Sequence, residues 1–164
     1  MSEQRTVVKR VENAKLYSDG TIVLENVRAS YPYLFEPREN EGDDGKKTYK
    51  YQIQVILPKA THGAAKDICV QRINELCREN KVEKLPADKK FIKNGDDMAK
   101  AEYEGAFIVS ASESNKPDLR GKDPRAKLRD ADKDVIYGGC YVDVLIRPWF
   151  QNNKYGKRCN AGLV

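Results

Sequence analysis

The sequence predicts a mainly β fold, a small five-stranded barrel with one main α-helix and long loops. Apolar and polar residues alternate with period two in the segment 48–57, as they do in a half-buried strand. Helical spacing of apolar residues occurs in one long segment, 63–80. Because the strand-like segments do not alternate with helices, the pattern argues against a parallel βαβ sheet and favours a barrel.

The N-terminal part of the chain is predicted to be β structure. A turn signal at 18–20 separates an N-terminal extension, 1–20, which is partly β, from a strand over 21–30. Two prolines and three aromatic residues predict an irregular but ordered segment over 31–37. The acidic, glycine-bearing stretch 39–45 is predicted to be an exposed loop.

The alternating strand and the helix follow directly. Tyr49 and Tyr51 fall on the apolar side of the strand and are assigned to the core, whereas Lys50 faces outward. Thr61 is the predicted N-cap of the helix 63–80. The apolar positions of this helix are spaced by three and four residues: Ala65, Ile68, Cys69, Ile73, Leu76 and Cys77.

The second half of the chain contains further strands and one long loop. Residues 81–100 are charged and predicted to be mostly irregular, and a third strand is predicted over 105–112. The stretch 113–134 is a loop of a length that is usually functional or partly disordered. The last unit is a hairpin, with strands 139–150 and 157–164 and a turn over 151–156.

Composition limits the classes of protein to which the chain can belong. Its 164 residues suffice for one domain, which we place at 21–164. The net charge of +5 favours a polyanionic partner only mildly. No apolar run is long enough to span a bilayer and the N-terminus lacks a signal-peptide core, so a cytoplasmic protein with four reduced cysteines is expected. The basic residues of 145–164, which contains no acid, are Arg147, Lys154, Lys157 and Arg158.

The outward side of the strand 139–150 is the strongest functional signal. Cys140, Val142, Val144 and Ile146 form its core side, and Tyr141, Arg147 and Trp149 point the other way. Single-strand binders need such residues, because any base stacks on an aromatic ring while guanidinium groups contact phosphates. The alternative is that Tyr141 and Trp149 cover a second small core.

Other residues support the same surface less directly. Tyr155 lies among three cations in the hairpin, which is either a contact loop or a solubilising turn. Tyr31 and Tyr33 either line a groove or attach their segment to the barrel, and Phe35 is expected to pack. Arg28 and Lys50 are further candidates for contacts with phosphates.

Enzymatic chemistry has little support. His62 is the only histidine, so His-based triads and acid–base pairs lack a member, and phosphate-cradling glycine loops are absent. No spacing predicts a zinc site, and the calcium-loop-like start at 130–134 lacks the glycine and glutamate that such a loop needs. We therefore predict no cofactor. A metal-dependent nuclease using Asp130, Asp132 and Asp134, or Asp96 and Asp97, is the alternative enzyme.

Four segments together resemble a family of phage single-stranded DNA-binding proteins with an OB-type barrel. They are RASYPYLFEP (28–37), YQIQVILPK (51–59), IYGGCYV (136–142) and GKRCNAGLV (156–164). The resemblance implies an OB-fold and sequence-tolerant binding of single-stranded DNA in phage replication, recombination or repair, without catalysis. Relatives of this kind commonly end in an acidic tail that recruits phage or host replication and recombination proteins. This chain stops at Val164 without one, so a chain shortened before such a tail, or a protein that lacks it, is expected.

The sequence thus leads to one hypothesis with two rivals. We expect single-stranded DNA to cross the face formed by the 139–150 strand and its hairpin, bound by Trp149, Tyr141, Tyr155, Arg147, Lys154, Lys157 and Arg158, with Tyr33, Tyr31, Arg28 and Lys50 contributing. The rivals are the nuclease and a barrel whose aromatic row contacts a protein. The sequence leaves open whether the protein is a monomer or a homodimer.

Overall fold

The computed structural model describes residues 6–42, 45–98, 100–120, 136–153 and 156–163. Within these ranges the chain forms eight strands and one α-helix. In chain order they are β1 (Val7–Val11), β2 (Ala14–Tyr17), β3 (Ile22–Glu41), β4 (Lys47–Pro58), α1 (Lys59–Glu79), β5 (Ile92–Asn94), β6 (Ala106–Glu113), β7 (Tyr141–Asn153) and β8 (Gly156–Leu163). Short 3₁₀ turns cover Ala87–Lys89, Gly95–Asp97 and Ala101–Tyr103.

The strands form one antiparallel sheet organised around β3. The first residues of β3 pair with β2 on one side and β7 on the other, and later residues pair with β4. The sheet continues from β4 to β6 and β5, and from β7 to β8. The curled sheet brings β8 against β6, where a Cβ added to Gly162 would lie 3.1 Å from Glu113 Oε2. No β6–β8 ladder forms among the described residues, so this barrel of β3, β4, β6, β7 and β8 is not closed.

The core lies between the inner side of the sheet and α1. Alternate residues of β3, β4 and β6 are fully buried, among them Leu24, Val55 and Val109. All six predicted apolar positions of the helix are buried and complete this core. Burial of this continuous aliphatic cluster is the main stabilising term of the fold.

The start of the helix differs from the prediction. Helix α1 begins at Lys59, after Pro58, and no side chain caps it. The N-cap assignment of Thr61 was wrong, since its hydroxyl lies 2.7 Å from Nδ1 of His62 instead. His62 has non-helical backbone angles, φ −119° and ψ 20°, and its Nε2 lies 2.9 Å from the carbonyl oxygen of Glu25. The sole histidine is thus a buried structural residue that links the kinked helix start to β3.

The segment 31–37, predicted to be irregular, belongs to β3, and so do the first residues of the predicted loop 39–45. Register shifts between Ser30 and Tyr33, and between Tyr33 and Arg38, interrupt the ladder with β4. These irregularities accommodate the two prolines, which cannot donate to a ladder. Local sequence indicated the breaks in pairing but not that the strand continues beyond them.

The core assignment of Tyr49 was wrong, because 56% of its surface is exposed, whereas Tyr51 is half-buried. The β4–β6 ladder begins only at Tyr51, opposite Glu113. Residues 47–50 therefore pair with β3 alone and extend beyond the core, where neither side of the strand is covered.

The remaining predictions agree in type and differ in bounds. The third predicted strand is β6, and 81–100 includes β5 and two of the 3₁₀ turns. The final hairpin is β7–β8, whose strands extend to Asn153 and from Gly156, further into the predicted turn 151–156 than expected. Residues 121–135, which include most of the predicted long loop, lie outside the described residues. In the described parts of the chain, no helix is both long and apolar enough to cross a bilayer.

Candidate nucleic-acid interface

Strand β7 has the two-sided character that its sequence predicted. Tyr141, Arg147 and Trp149 are exposed, with 72% of the Tyr141 surface and 45% of the Trp149 surface accessible. The predicted core side packs against the central cluster through Cys140, Val142, Val144 and Ile146. The antiparallel ladder fixes this alternation, because successive side chains point to opposite faces of the sheet.

The end of β7 forms one wall of a polar groove of about 380 Å³. Trp149 lies opposite Asn160 of β8, and Gln151 lies opposite Arg158. Lys50 reaches the same groove from β4. The groove residues are Lys50, Ser112, Glu113, Ser114, Trp149, Gln151, Arg158 and Asn160. The fold therefore brings three predicted contact residues together from three strands.

Arg158 contributes its guanidinium to the lining of the groove. Its Nε is buried and makes no hydrogen bond, and no carboxylate forms an ion pair with it in the described part of the chain. A buried donor without a partner is unfavourable unless a ligand or water satisfies it. Beside it, Asn160 Nδ2 donates to Gln151 Oε1 at 2.9 Å, which fixes the orientation of both amides. A phosphate in the groove would neutralise the charge of this guanidinium.

A second depression of about 210 Å³ shares Ser112, Arg158 and Asn160 with this groove and continues it across β4 and β6. Gln52, Gln54 and Ser110 line it, and so do Lys90 and Lys93, which the sequence prediction missed. The two lysines lie in the part of the sequence that was predicted to be mostly irregular. No periodic pattern there indicates that they line this face of the barrel. We call the two depressions together the β4–β6 groove. In OB barrels, the second and third barrel strands carry the oligonucleotide-binding face, and here these strands are β4 and β6.

Several predicted contact residues lie away from this groove. Tyr141 pairs with Arg28 across β7 and β3, at the opposite end of β7 from Trp149. Eight residues separate Tyr141 from Trp149, which corresponds to about 26 Å along a strand. The Tyr31 and Tyr33 rings face Lys100 and Arg38, with cation-to-centroid distances of 4.6 Å and 5.6 Å.

The remaining cations of the hairpin have different positions. Lys157 is exposed and lies opposite Asn152, and the exposed Arg147 lies opposite Gly162. The other two predicted contacts, Lys154 and Tyr155, lie outside the described residues.

Of the carboxylates considered for a nuclease, the structure describes Asp96 and Asp97. Asp96 accepts from the Gly105 amide at 2.8 Å and from Lys59 Nζ at 2.7 Å, and these bonds hold the pKa of its carboxyl below the usual value. No group of three potential metal ligands occurs among the described residues. Asp130, Asp132 and Asp134 fall in the part of the chain left undescribed.

The fold and the groove define an OB-type barrel with a groove along its second and third strands, lined by basic residues and by Trp149 from the neighbouring β7. Residues 20–164 match the family described as "Enterobacter phage Enc34, ssDNA-binding protein", and the chain belongs to this family. The family resemblance and the OB-like fold predicted from the sequence are thereby confirmed.

Two solved structures and one further phage protein are similar to this chain. The single-stranded DNA-binding protein from bacteriophage Enc34 in complex with ssDNA is 41% identical, with 99% of this chain and 93% of that chain covered and a TM-score of 0.88. Its C-terminal truncation is 43% identical, with 100% and 93% covered and a TM-score of 0.87. Protein p50 of Acyrthosiphon pisum secondary endosymbiont phage 1 is 26% identical over 151 residues, 87% of this chain and 79% of that protein.

A more distant structure shares the fold alone. It is gp2.5, a single-stranded DNA-binding protein encoded by bacteriophage T7, at 14% identity and a TM-score of 0.55. The match covers 87% of this chain and 82% of that one.

Proposed function

We propose that this protein binds single-stranded DNA with little sequence preference, in the β4–β6 groove. The observation that carries the proposal is the convergence of Trp149, Lys50 and Arg158 in one groove. A ring, two cations and several neutral hydrogen-bonding groups suit a strand whose bases stack and whose phosphates are neutralised. Because any base can stack on an aromatic ring, tolerance of sequence is expected.

The family supports this proposal. The protein that is 41% identical over nearly the whole chain was solved in complex with ssDNA. In this proposal the protein acts by coating DNA rather than by catalysis, in phage replication, recombination or repair inside the bacterial host. Replication and recombination proteins are the proposed protein partners.

Titration with poly(dT), followed through tryptophan fluorescence, tests the proposal directly. Trp149 is the only tryptophan of the chain, so any quenching reports on the groove. If the groove residues Lys50, Lys90, Lys93 and Arg158 neutralise four phosphates, log K is expected to fall with log[salt] at a slope of about −3. Absence of quenching, or quenching that salt does not change, would contradict the proposal.

A parallel incubation with Mg²⁺ tests the absence of catalysis. A labelled oligonucleotide is expected to remain intact in the presence of the protein. Cleavage that depends on Mg²⁺ would instead support the nuclease alternative.

A further inference from the structure

A second group of exposed aromatic and basic residues lies outside the β4–β6 groove, where β3 meets β7. Its exposed rings are Tyr31, Tyr137 and Tyr141, with 51%, 60% and 72% of their surfaces accessible. Its cations are Arg28 and Lys100, and we call the five residues the β3–β7 patch. Isolated exposed apolar residues are ordinary. Here Arg28 lies against the turn between Tyr137 and Tyr141, and Tyr31 follows three residues later on β3 with Lys100 over its ring, so the grouping requires an explanation.

Backbone hydrogen bonds fix two of these tyrosines relative to β3. The Gly139 amide donates to the Ala29 carbonyl at 2.7 Å, and the Ala29 amide donates to the Cys140 carbonyl at 2.7 Å. The Cys140 amide closes a turn onto the Tyr137 carbonyl at 3.1 Å. Tyr137 and Tyr141 therefore flank a turn that is attached to the sheet, and their positions are set before any ligand arrives.

Arg28 lies against the same turn. Its Nε donates to the Gly139 carbonyl at 3.2 Å, and a Cβ added to Gly139 would lie 3.5 Å from Arg28 Nη2. Gly139 has φ +101°, so both the backbone and the neighbouring guanidinium favour glycine there. No ion pair engages Arg28 within the described ranges.

The backbone of Tyr31 is strained. Its φ is +48°, in the left-handed region that non-glycine residues rarely adopt, at the register shift after Ser30. Such strain persists where the surrounding structure enforces it, and it is concentrated at functional sites. Lys100 Nζ lies 4.6 Å from the Tyr31 centroid and 5.3 Å from that of the buried Tyr103. The ring is thus held outward with a cation over its face.

We infer that the β3–β7 patch is a second contact site for single-stranded DNA, at the other end of β7 from Trp149 and occupied by more distant nucleotides of the same strand. The inference rests on the proposed function. Tyr141 and Trp149 are about 26 Å apart along β7, a span of about eight nucleotides at the rise of a stacked strand. Because one OB barrel covers about 4–16 nucleotides, a short strand reaches one site and a long strand reaches both.

The test compares two oligo(dT) lengths, about 4 and about 16 nucleotides, on the wild type and on a Tyr137→Ala/Tyr141→Ala double variant. The double variant is expected to bind the long strand at least about 5-fold more weakly, since each lost stacking contact is worth that factor or more. Its affinity for the short strand and the quenching of Trp149 should not change. Tyr49→Ala removes an exposed tyrosine outside both sites and is the matched control, expected to bind both lengths as the wild type does.

Arg28→Gln provides a second, independent measurement. Loss of one phosphate contact should make the salt slope for the long strand shallower by about 0.7 and leave the slope for the short strand unchanged. Thermal unfolding of each variant shows that the fold is retained.

Three outcomes would overturn the inference. In the first, the wild type binds both strands and the patch variants match it at both lengths. In the second, the patch variants weaken the binding of both strand lengths equally, which would show that the patch and the groove are one site. In the third, the variants change the sedimentation of the free protein but not its DNA affinity, which would make the patch a contact with a second copy. Failure of the wild type to bind either strand would instead remove the proposed function itself.

Discussion

The phenol of Tyr103, which has no exposed surface, donates a 2.7 Å hydrogen bond to Oε1 of Gln54. Ser30 Oγ lies 2.8 Å from the same phenol oxygen. Because a phenol has one hydrogen and Gln54 receives it, the hydroxyl of Ser30 is the donor in the second bond. These bonds attach the turn that contains Tyr103 to β3 and β4, next to the proposed groove.

Tyr103→Phe is therefore expected to lower the free energy of unfolding by about 1–3 kcal/mol, because Gln54 Oε1 and the Ser30 hydroxyl lose their partner. Urea denaturation measures the change. Tyr17→Phe is the control, since the Tyr17 hydroxyl makes no hydrogen bond in the described structure, and a change below about 0.5 kcal/mol is expected there. Equal effects of the two substitutions would contradict the buried network.

Trp149→Ala is expected to weaken binding of oligo(dT) by about 1–3 kcal/mol, because one base loses its stacking surface. Anisotropy of a labelled oligonucleotide measures this loss without relying on the indole. Trp149→Phe keeps an aromatic ring at the same place and should recover part of the affinity. If Phe and Ala bind equally weakly, the role of Trp149 is not stacking.

The charge of Arg158 and the geometry of its guanidinium should have separable effects on DNA binding. Arg158→Gln is expected to make the salt slope of log K shallower by about 0.7, whereas Arg158→Lys should keep the slope and lose affinity, because an ammonium cannot reproduce the fork of a guanidinium. Affinities measured over a salt series separate the two effects. An unchanged slope in Arg158→Gln would show that no phosphate contacts this residue.

Because two thiols are buried, the protein is expected to lose stability at alkaline pH. Burial raises the pKa of Cys69 and that of Cys159 from the ordinary value of 9.0 to about 12. The folded state thus favours the neutral thiol, so the raised pKa values contribute fully to the free energy of unfolding below pH 9. This contribution disappears as the pH rises towards 12. Urea denaturation across this range should show the decline, and Cys69→Ala should show less of it. An identical pH dependence in the variant would assign the decline to other groups.

Substitution by alanine should change the stability of the protein in opposite directions at two glycines. At Gly95, an added Cβ would clash with the Tyr103 carbonyl oxygen and lie 2.7 Å from that of Ala106. Gly95→Ala is expected to destabilise by about 1–3 kcal/mol or more, because both contacts are backbone. At Gly63 in α1 nothing lies within 4 Å, so Gly63→Ala should stabilise by about 0.4–1 kcal/mol. Melting temperatures test both, and a destabilised Gly63→Ala would contradict the open space at this site.

The elements whose pattern is local could be predicted from the sequence. The six buried positions of α1 and the two sides of β7 follow from periods of 3.6 and 2, which depend only on backbone geometry. Tyr49 followed the same period and was still assigned wrongly, because burial depends on whether a neighbouring strand extends that far. The continuation of β3 beyond its prolines was missed for a related reason, since pairing with β4 resumes after each register shift.

By itself, the sequence determined the two sides of β7 and the buried side of α1. Only the tertiary structure decided which outward residues meet. The curled sheet places Lys50 beside Trp149 and Arg158, about a hundred residues later in the chain, and keeps Tyr141 at the far end of the same strand. It also places Tyr137 and Lys100, neither of which the sequence singled out, in the patch with Arg28 and Tyr31. The physical reason is that alternation along a strand is a local property, whereas the neighbours of a side chain depend on the curvature and register of distant strands.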